Sequence, residues 1–386
     1  MPWNARFKSM SRSPALYVLV SLLLLAPCHW QPRLQAGDLS SHIYNSWLAR
    51  LIENGGAQGL EAVGQASNFL FDFILGGLFK VVGAEAAQRI AVSLVLLTFV
   101  WGAFAFISTV SGRRAWHLVP VIAMLAYGWD FQMGFFSFYL SLGLCFWALA
   151  LAWEWKPWRL AAAVPILALA YLAHALPVVW TAGLLAYLWL AGRMAPRMRD
   201  WMLATSLLTM VLWRALASRT LMVEWPLQQI FTASTAADKS WTFDVKYYVL
   251  LMGLVLVWGA LFLDLMHQWG TRRLASSIPF QVCIVGAAGV FLLPTTLLIP
   301  GFHPALVLIA ERMALGVCVC VCALLGAARP RMLERCALVA VALVFFVFLY
   351  RDERALNAQE DRMQGAVAQV TAGHGVVMAG AKADMP

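Results

Sequence analysis

Asp38 opens a polar stretch, Gly37 to Gly56, in a chain otherwise written in apolar residues, and that contrast makes it the first candidate for chemistry. The stretch reads GDLSSHIYNSWLARLIENGG and places His42 one helical turn beyond the carboxylate. Other ionisable side chains stand in or beside apolar runs. Asp130 falls in the tight turn YGWDFQMGF, His174 in YLAHALP and Arg214 within an apolar segment, while His303, Glu311 and Arg312 mark the start of another. Such groups are expensive to hold at membrane depth, so each is a candidate for function. Arg312 suits phosphate best, because a guanidinium offers a bidentate fork to phosphate oxygens; Lys80 is second. Glu311 and Arg312 are sequence neighbours, which a helix points apart, so they do not make a simple private pair. Each candidate also has a plainer reading. Asp38 suits a helix N-cap, His42 an interfacial polar position, and the cations can snorkel to the membrane boundary.

The elements that position these residues follow from composition. A chain of 386 residues that is 62% hydrophobic and 12% charged cannot hide its apolar surface in one soluble core, and its mean hydropathy of +0.75 agrees. It reads as an all-α, polytopic membrane bundle. The net charge of +9 lies in short clusters between apolar runs and makes no continuous basic face, so nucleic acid is not an expected partner. No Walker loop, GxSxG elbow, HExxH or Cys/His metal spacing occurs, which argues against ATP-driven pumps, serine hydrolases and zinc proteases of those types. Cys318, Cys320 and Cys322 alternate in an apolar helix, where the first and last share a face, and read as packing residues.

Set against the ~20 residues a helix needs to cross a bilayer, the apolar runs give about eleven spans. They are centred on residues 14–28, 89–109, 118–129, 131–153, 160–174, 176–190, 201–217, 247–266, 280–298, 306–327 and 336–350. Basic clusters test the count, because Lys and Arg gather on the cytoplasmic side. They fall at Arg6, Lys8 and Arg12, at Arg113 and Arg114, and at Lys156 and Arg159. The series continues at Arg193, Arg197 and Arg199, at Arg272 and Arg273, and at Arg329, Arg331 and Arg335, one cluster at every second loop. This pattern puts the N-terminus inside, as in a bacterial inner membrane, and puts the first long loop, 29–88, and the C-terminal tail outside. The first span also has the basic start and short apolar centre of a cleaved signal peptide; Pro27 in LAPC disfavours a lipoprotein box, and an uncleaved helix is expected.

Within the outer loop, Ile43, Trp47, Leu48, Leu51 and Ile52 recur at helical spacing until Gly55 and Gly56 stop them. A second stretch, SNFLFDFILGGLFKVV at 67–82, is apolar but short and carries Asp72 and Lys80. Both read as helices in the outer membrane interface.

An acidic residue just after the first span, two interfacial helices and about eleven spans together resemble the GT-C superfamily of integral-membrane glycosyltransferases. The run GFFSFYLSLGLCFWALAL, Gly134 to Leu151, is similar to the fourth-span pattern of bacterial members. The resemblance covers the N-terminal half of the chain by motif and the rest by span count. It implies a polyprenyl-phosphate-linked sugar as donor, a membrane-embedded site, and Asp38 as the base that deprotonates the acceptor hydroxyl. His42, Lys80, Asp130, His174, Arg214, Glu311 and Arg312 would surround the substrate. Family members carry a second acidic residue beside the first, whereas Asp38 is flanked by Gly37, Leu39 and Ser40, a departure that bears on whether a divalent metal ion takes part.

The segment from Arg219 to Lys246 offers Glu224, Trp225, Asp238, Trp241 and Asp244, a mixture that suits sugar contacts and equally an interfacial belt. The tail, 351–386, reads as a charged helix, a turn at Gly373 and a strand, GVVMAG, too small for its own core. Two other functions fit parts of the pattern. Pro294, Pro300 and Pro304 suit the broken helices of a transporter or flippase, and the missing second carboxylate suits a noncatalytic membrane protein.

Overall fold

The computed structural model describes residues 14–56, 59–61, 64, 66–225, 237–298 and 306–370. The clusters at Arg6, Lys8 and Arg12, the prolines at 300 and 304, His303 and the GVVMAG piece lie outside them. Of the described residues 79% are helical and 2% are strand, as the composition predicts for an all-α chain.

Among the described residues, five helices are long and apolar enough to cross a membrane: α3 (Leu70–Ser111), α8 (Ala175–Arg193), α9 (Pro196–Thr220), α10 (Tyr247–Trp269) and α14 (Met332–Val367). Four apolar helices are shorter, namely α1 (Pro14–Leu25, with one further turn to Cys28), α6 (Phe136–Ala152), α7 (Pro157–Ala173) and α12 (Ile278–Leu292). The first long loop forms α2 (Leu39–Glu53), and α13 (Ile309–Leu325) carries Glu311 and Arg312 in its first turn. Short helices α4 (Val119–Ala126), α5 (Trp129–Gln132) and α11 (Thr271–Ala275) complete the set. Val164, Val179, Leu256 and Leu343 are 62–70% exposed, apolar side chains turned outward as a lipid-facing surface requires.

The segment predicted as the third span behaves differently. Helix α4 has eight residues, roughly 12 Å at ~1.5 Å per residue, against a hydrocarbon layer of ~30 Å. It ends at Tyr127 and Gly128, where the chain turns extended before α5. Non-helical backbone at such depth is tolerated only inside protein. Val121 to Ala126 are all buried, the Tyr127 hydroxyl donates to the Leu24 carbonyl (2.6 Å), and the Tyr139 hydroxyl donates to the Leu125 carbonyl (2.8 Å).

Helix α3 joins two predicted elements, the second interfacial stretch and the second span, across a kink at Gly83 with φ +77° and ψ 171°. A side chain is strained in that conformation, so glycine there breaks the helix and lets the chain change direction between two helical parts. The part of α3 beyond the kink packs on α6 at very close range. A Cβ on Gly102 would lie 2.4 Å from the Gly143 carbonyl oxygen, so small residues at both positions set the approach of the two backbones. Helix α13 is enclosed on all sides; Cys320 is therefore buried along with Cys318 and Cys322, although it alternates with them.

The last helix runs on past its apolar part. The charged start of the tail continues α14 as one helix of 36 residues. Its C-terminal part is clamped to the chain following α1. Trp30 Nε1 donates to Glu353, the Arg33 backbone N–H donates to Asn357 Oδ1 (2.9 Å), and the Arg33 guanidinium reaches Asp361 (2.7 Å) and Gln364 (2.6 Å). Two three-residue strands, β1 (Met222–Glu224) and β2 (Thr296–Leu298), pair antiparallel and join the segment after α9 to the chain leading into α13.

Candidate functional site

Asp38 sits at the start of α2, and its backbone carbonyl accepts the first helical bond, from His42 N–H (3.1 Å). Its side chain makes no capping bond, so the cap reading fails for the carboxylate, which is exposed. What fixes Asp38 is the turn between α5 and α6. Gly37 N–H donates to the Gln132 carbonyl (2.8 Å) and Asp38 N–H to the Met133 carbonyl (3.0 Å). Gly134 makes this docking possible. It has φ +80°, and a Cβ there would lie 2.5 Å from the Asp38 backbone nitrogen.

Phe135 follows directly and supports Arg312. The Arg312 guanidinium carbon lies 3.9 Å from the centre of the Phe135 ring, a cation–π contact that sets the plane of the fork. The carboxylates of Asp130, Asp38 and Glu311 are all close enough to act on the Arg312 charge. Asp130 is 1% exposed, while Arg312 and Glu311 are half-buried. Among the described residues, Arg312 Nε and Glu311 Oε2 are buried without a hydrogen-bond partner. The other Glu311 oxygen accepts from the Thr295 hydroxyl, and Thr295 is itself held by backbone bonds to Glu224 (2.9 Å) and Ile309 (3.0 Å). Both Glu311 and Arg312 stand in the first turn of α13, whose dipole makes that end electropositive.

His174 belongs to the same neighbourhood, within electrostatic reach of Arg312. It occupies the junction of α7 and α8, where its Nδ1 accepts from Leu176 N–H (3.2 Å) and its ring meets the Phe138 edge at 5.7 Å. Accepting at Nδ1 leaves the proton of the neutral ring on Nε2, which is then a donor.

Five residues chosen from sequence therefore converge: Asp38, Asp130, His174, Glu311 and Arg312. The other three have different employment. His42 Nδ1 pairs with Asp72 at 2.5 Å and Lys80 with Glu53 at 3.1 Å, so both hold α2 against the first part of α3. Arg214 stacks over Trp225 (4.8 Å) and donates to the Phe291 carbonyl (3.0 Å), joining α9 to the end of α12. Sequence reasoning missed Phe135, Thr295 and the pairing role of Asp72. Asp72 was visible as a lone charge in an apolar stretch, and only the fold supplies its partner.

The carboxylates do not form a metal cage. Among the described residues no group of three or more His, Cys, Asp or Glu side chains is placed to hold a metal ion. Positive charge near this centre comes from Arg312, from the α13 terminus and from Lys239, which is 3% exposed and lies 4.3 Å from the centre of the ring of Trp129, the neighbour of Asp130. Comparison with known proteins gives no significant match to any family model, any curated protein or any solved structure.

Proposed function

We propose that the chain is an outward-facing glycosyltransferase of GT-C type, an approximately eleven-span bundle that moves a sugar from a polyprenyl-phosphate donor to an extracytoplasmic acceptor. The observation that carries this reading is the convergence of an exposed carboxylate, Asp38, with a stacked guanidinium, Arg312, through the Gly134–Phe135 turn. In that reading Asp38 removes the acceptor's hydroxyl proton while the acceptor oxygen bonds to the anomeric carbon. The bond from that carbon to the phosphate oxygen breaks, and its electron pair leaves with the phosphate. Arg312 and the N-terminus of α13 receive the charge that develops there. Asp130 and Glu311 hold Arg312 in place by balancing its charge, and His174 Nε2–H donates to a sugar hydroxyl. The site would open outside a bacterial inner membrane, with the N-terminus cytoplasmic.

Reconstitution in proteoliposomes with polyprenyl-phosphate sugars tests it. Wild type should transfer sugar, and Asp38→Asn should lower the rate by about 10²–10⁴, the usual worth of a general base, at an unchanged melting temperature. Equal transfer by both proteins removes Asp38 as the base. Donor movement across the bilayer without transfer assigns the same centre to a transporter, and inactivity with every donor favours a noncatalytic protein.

A further inference from the structure

A second polar centre lies at the opposite end of α3, at the start of α1 and the start of α14. A cavity of about 370 Å³ is lined there by Arg113, Arg114, Trp116, His117, Pro120, Pro330, Arg335 and Val339. Its volume is within the ~300–1,000 Å³ of small-molecule sites. Four of the eight lining residues are Arg or His, and none is Asp or Glu.

The donors in this cavity are held in place and lack acceptors. Arg113 Nε donates to the Gly326 carbonyl (2.8 Å), which fixes the guanidinium, and the Arg114 guanidinium lies 5.8 Å from the Tyr17 ring. Yet Arg113 Nη2, Arg114 Nε, Arg114 Nη2 and His117 Nε2 are all shielded from water with no hydrogen-bond partner among the described residues. Arg113 is also crowded electrostatically by Arg329 and Arg335. The nearby carboxylates are engaged with another residue: Glu334 accepts from Arg331 N–H (2.7 Å), and Asp264 pairs with the Arg331 guanidinium (3.4 Å). Convergent fixed donors with excess positive charge call for an anion, and guanidinium forks select phosphate oxygens.

The surroundings identify the carrier of that phosphate. Tyr17, Trp101, Phe104 and Trp116 form one aromatic cluster beside the cavity, the side chains that mark a membrane headgroup layer. On α14, the lining residue Val339 is 45% exposed, and Met332 and Leu333 in its first turn are 73% and 80% exposed, apolar side chains available to acyl chains. We propose that the Arg113, Arg114, His117 and Arg335 cavity binds the phosphate of an acidic membrane phospholipid, with its acyl chains along α14. This site is separate from the centre around Asp38 and does not depend on glycosyl transfer.

The test uses the full chain, delipidated in neutral detergent. Native mass spectrometry titrates it with phosphatidylglycerol, phosphatidylcholine, glycerol phosphate and inorganic phosphate. Phosphatidylglycerol should bind at least about tenfold tighter than phosphatidylcholine, and Arg113→Gln with Arg114→Gln should weaken it by about tenfold or more. Arg335→Gln, at an exposed position, gives a smaller loss and keeps the test available if the double variant does not fold. Equal binding of the two lipids, or undiminished binding by the variants, overturns the proposal. Competition by glycerol phosphate or inorganic phosphate as strong as the lipid's own binding overturns the lipid assignment in favour of a soluble phosphate ester.

Discussion

A carboxylate at a helix start can either satisfy the helix or face the substrate, and Asp38 leaves its own α2 N–H groups to other partners. The Gly37 and Asp38 amides are instead satisfied by the α5–α6 turn, which frees the side chain while fixing its backbone. Arg312 follows the same logic, stacked on Phe135 with its Nε unpaired among the described residues. His42 is the contrasting case, since Asp72 occupies its Nδ1. Because that contact is partly buried and charge-assisted, a double-mutant cycle of His42→Gln and Asp72→Asn should show a coupling of about 0.5–2 kcal/mol in thermal unfolding. Additive losses would sink the idea that the pair clamps α2 to α3.

At the scale of elements, the turn between α5 and α6 is the joint on which the centre depends. Gly134 serves it twice, by adopting φ +80° and by leaving room for the Asp38 nitrogen 2.5 Å from where a Cβ would stand. Gly134→Ala should therefore cost about 1–3 kcal/mol from backbone strain, more with the clash, and should lower the melting temperature in detergent. It should also reduce transfer activity beyond the stability loss, because Asp38 moves with the turn. A variant with wild-type melting and activity would show that the turn has no such role. Helix α4 bears on the same joint, since its short length is what brings Asp130 into the protein interior instead of into a loop at the surface.

For the whole molecule, acid should loosen the end that carries the basic cavity. Burial, and then the charges of Arg113 and Arg335, push the His117 imidazole down to about 4 from its ordinary 6.5. The unfolded chain takes up that proton near 6.5 and the folded chain not until about 4, so between these values the unfolded state binds more protons. The stabilisation is thus complete above pH 6.5 and declines as pH falls toward 4. Melting temperatures in neutral detergent should drop across this window, and His117→Gln should flatten that part of the profile. The all-α class and the Leu39–Glu53 helix were legible because helical period acts locally along the sequence, and Asp38, Asp130, His174, Glu311 and Arg312 stood out as ionisable groups in or beside apolar runs. The rest was not. Whether Lys80 meets Glu53 or substrate, and whether residues 118–129 cross or stop at Ala126, depends on partners far away in the chain.

The clamp between Trp30, Arg33 and the C-terminal part of α14 has a consequence for biogenesis. Arg89 holds the Cys28, Gln31 and Pro32 carbonyls early, but four more groups that anchor the chain leading to Asp38, namely Glu353, Asn357, Asp361 and Gln364, are made more than 300 residues later. At translation rates of about 5–20 residues per second, the first loop waits tens of seconds for its last fastening. The candidate centre is therefore assembled from the front of the chain and sealed from the back: an inserting intermediate that lacks α14 has Arg89 and the α5–α6 turn to hold the chain around Asp38, and gains the Trp30 and Arg33 fastenings last.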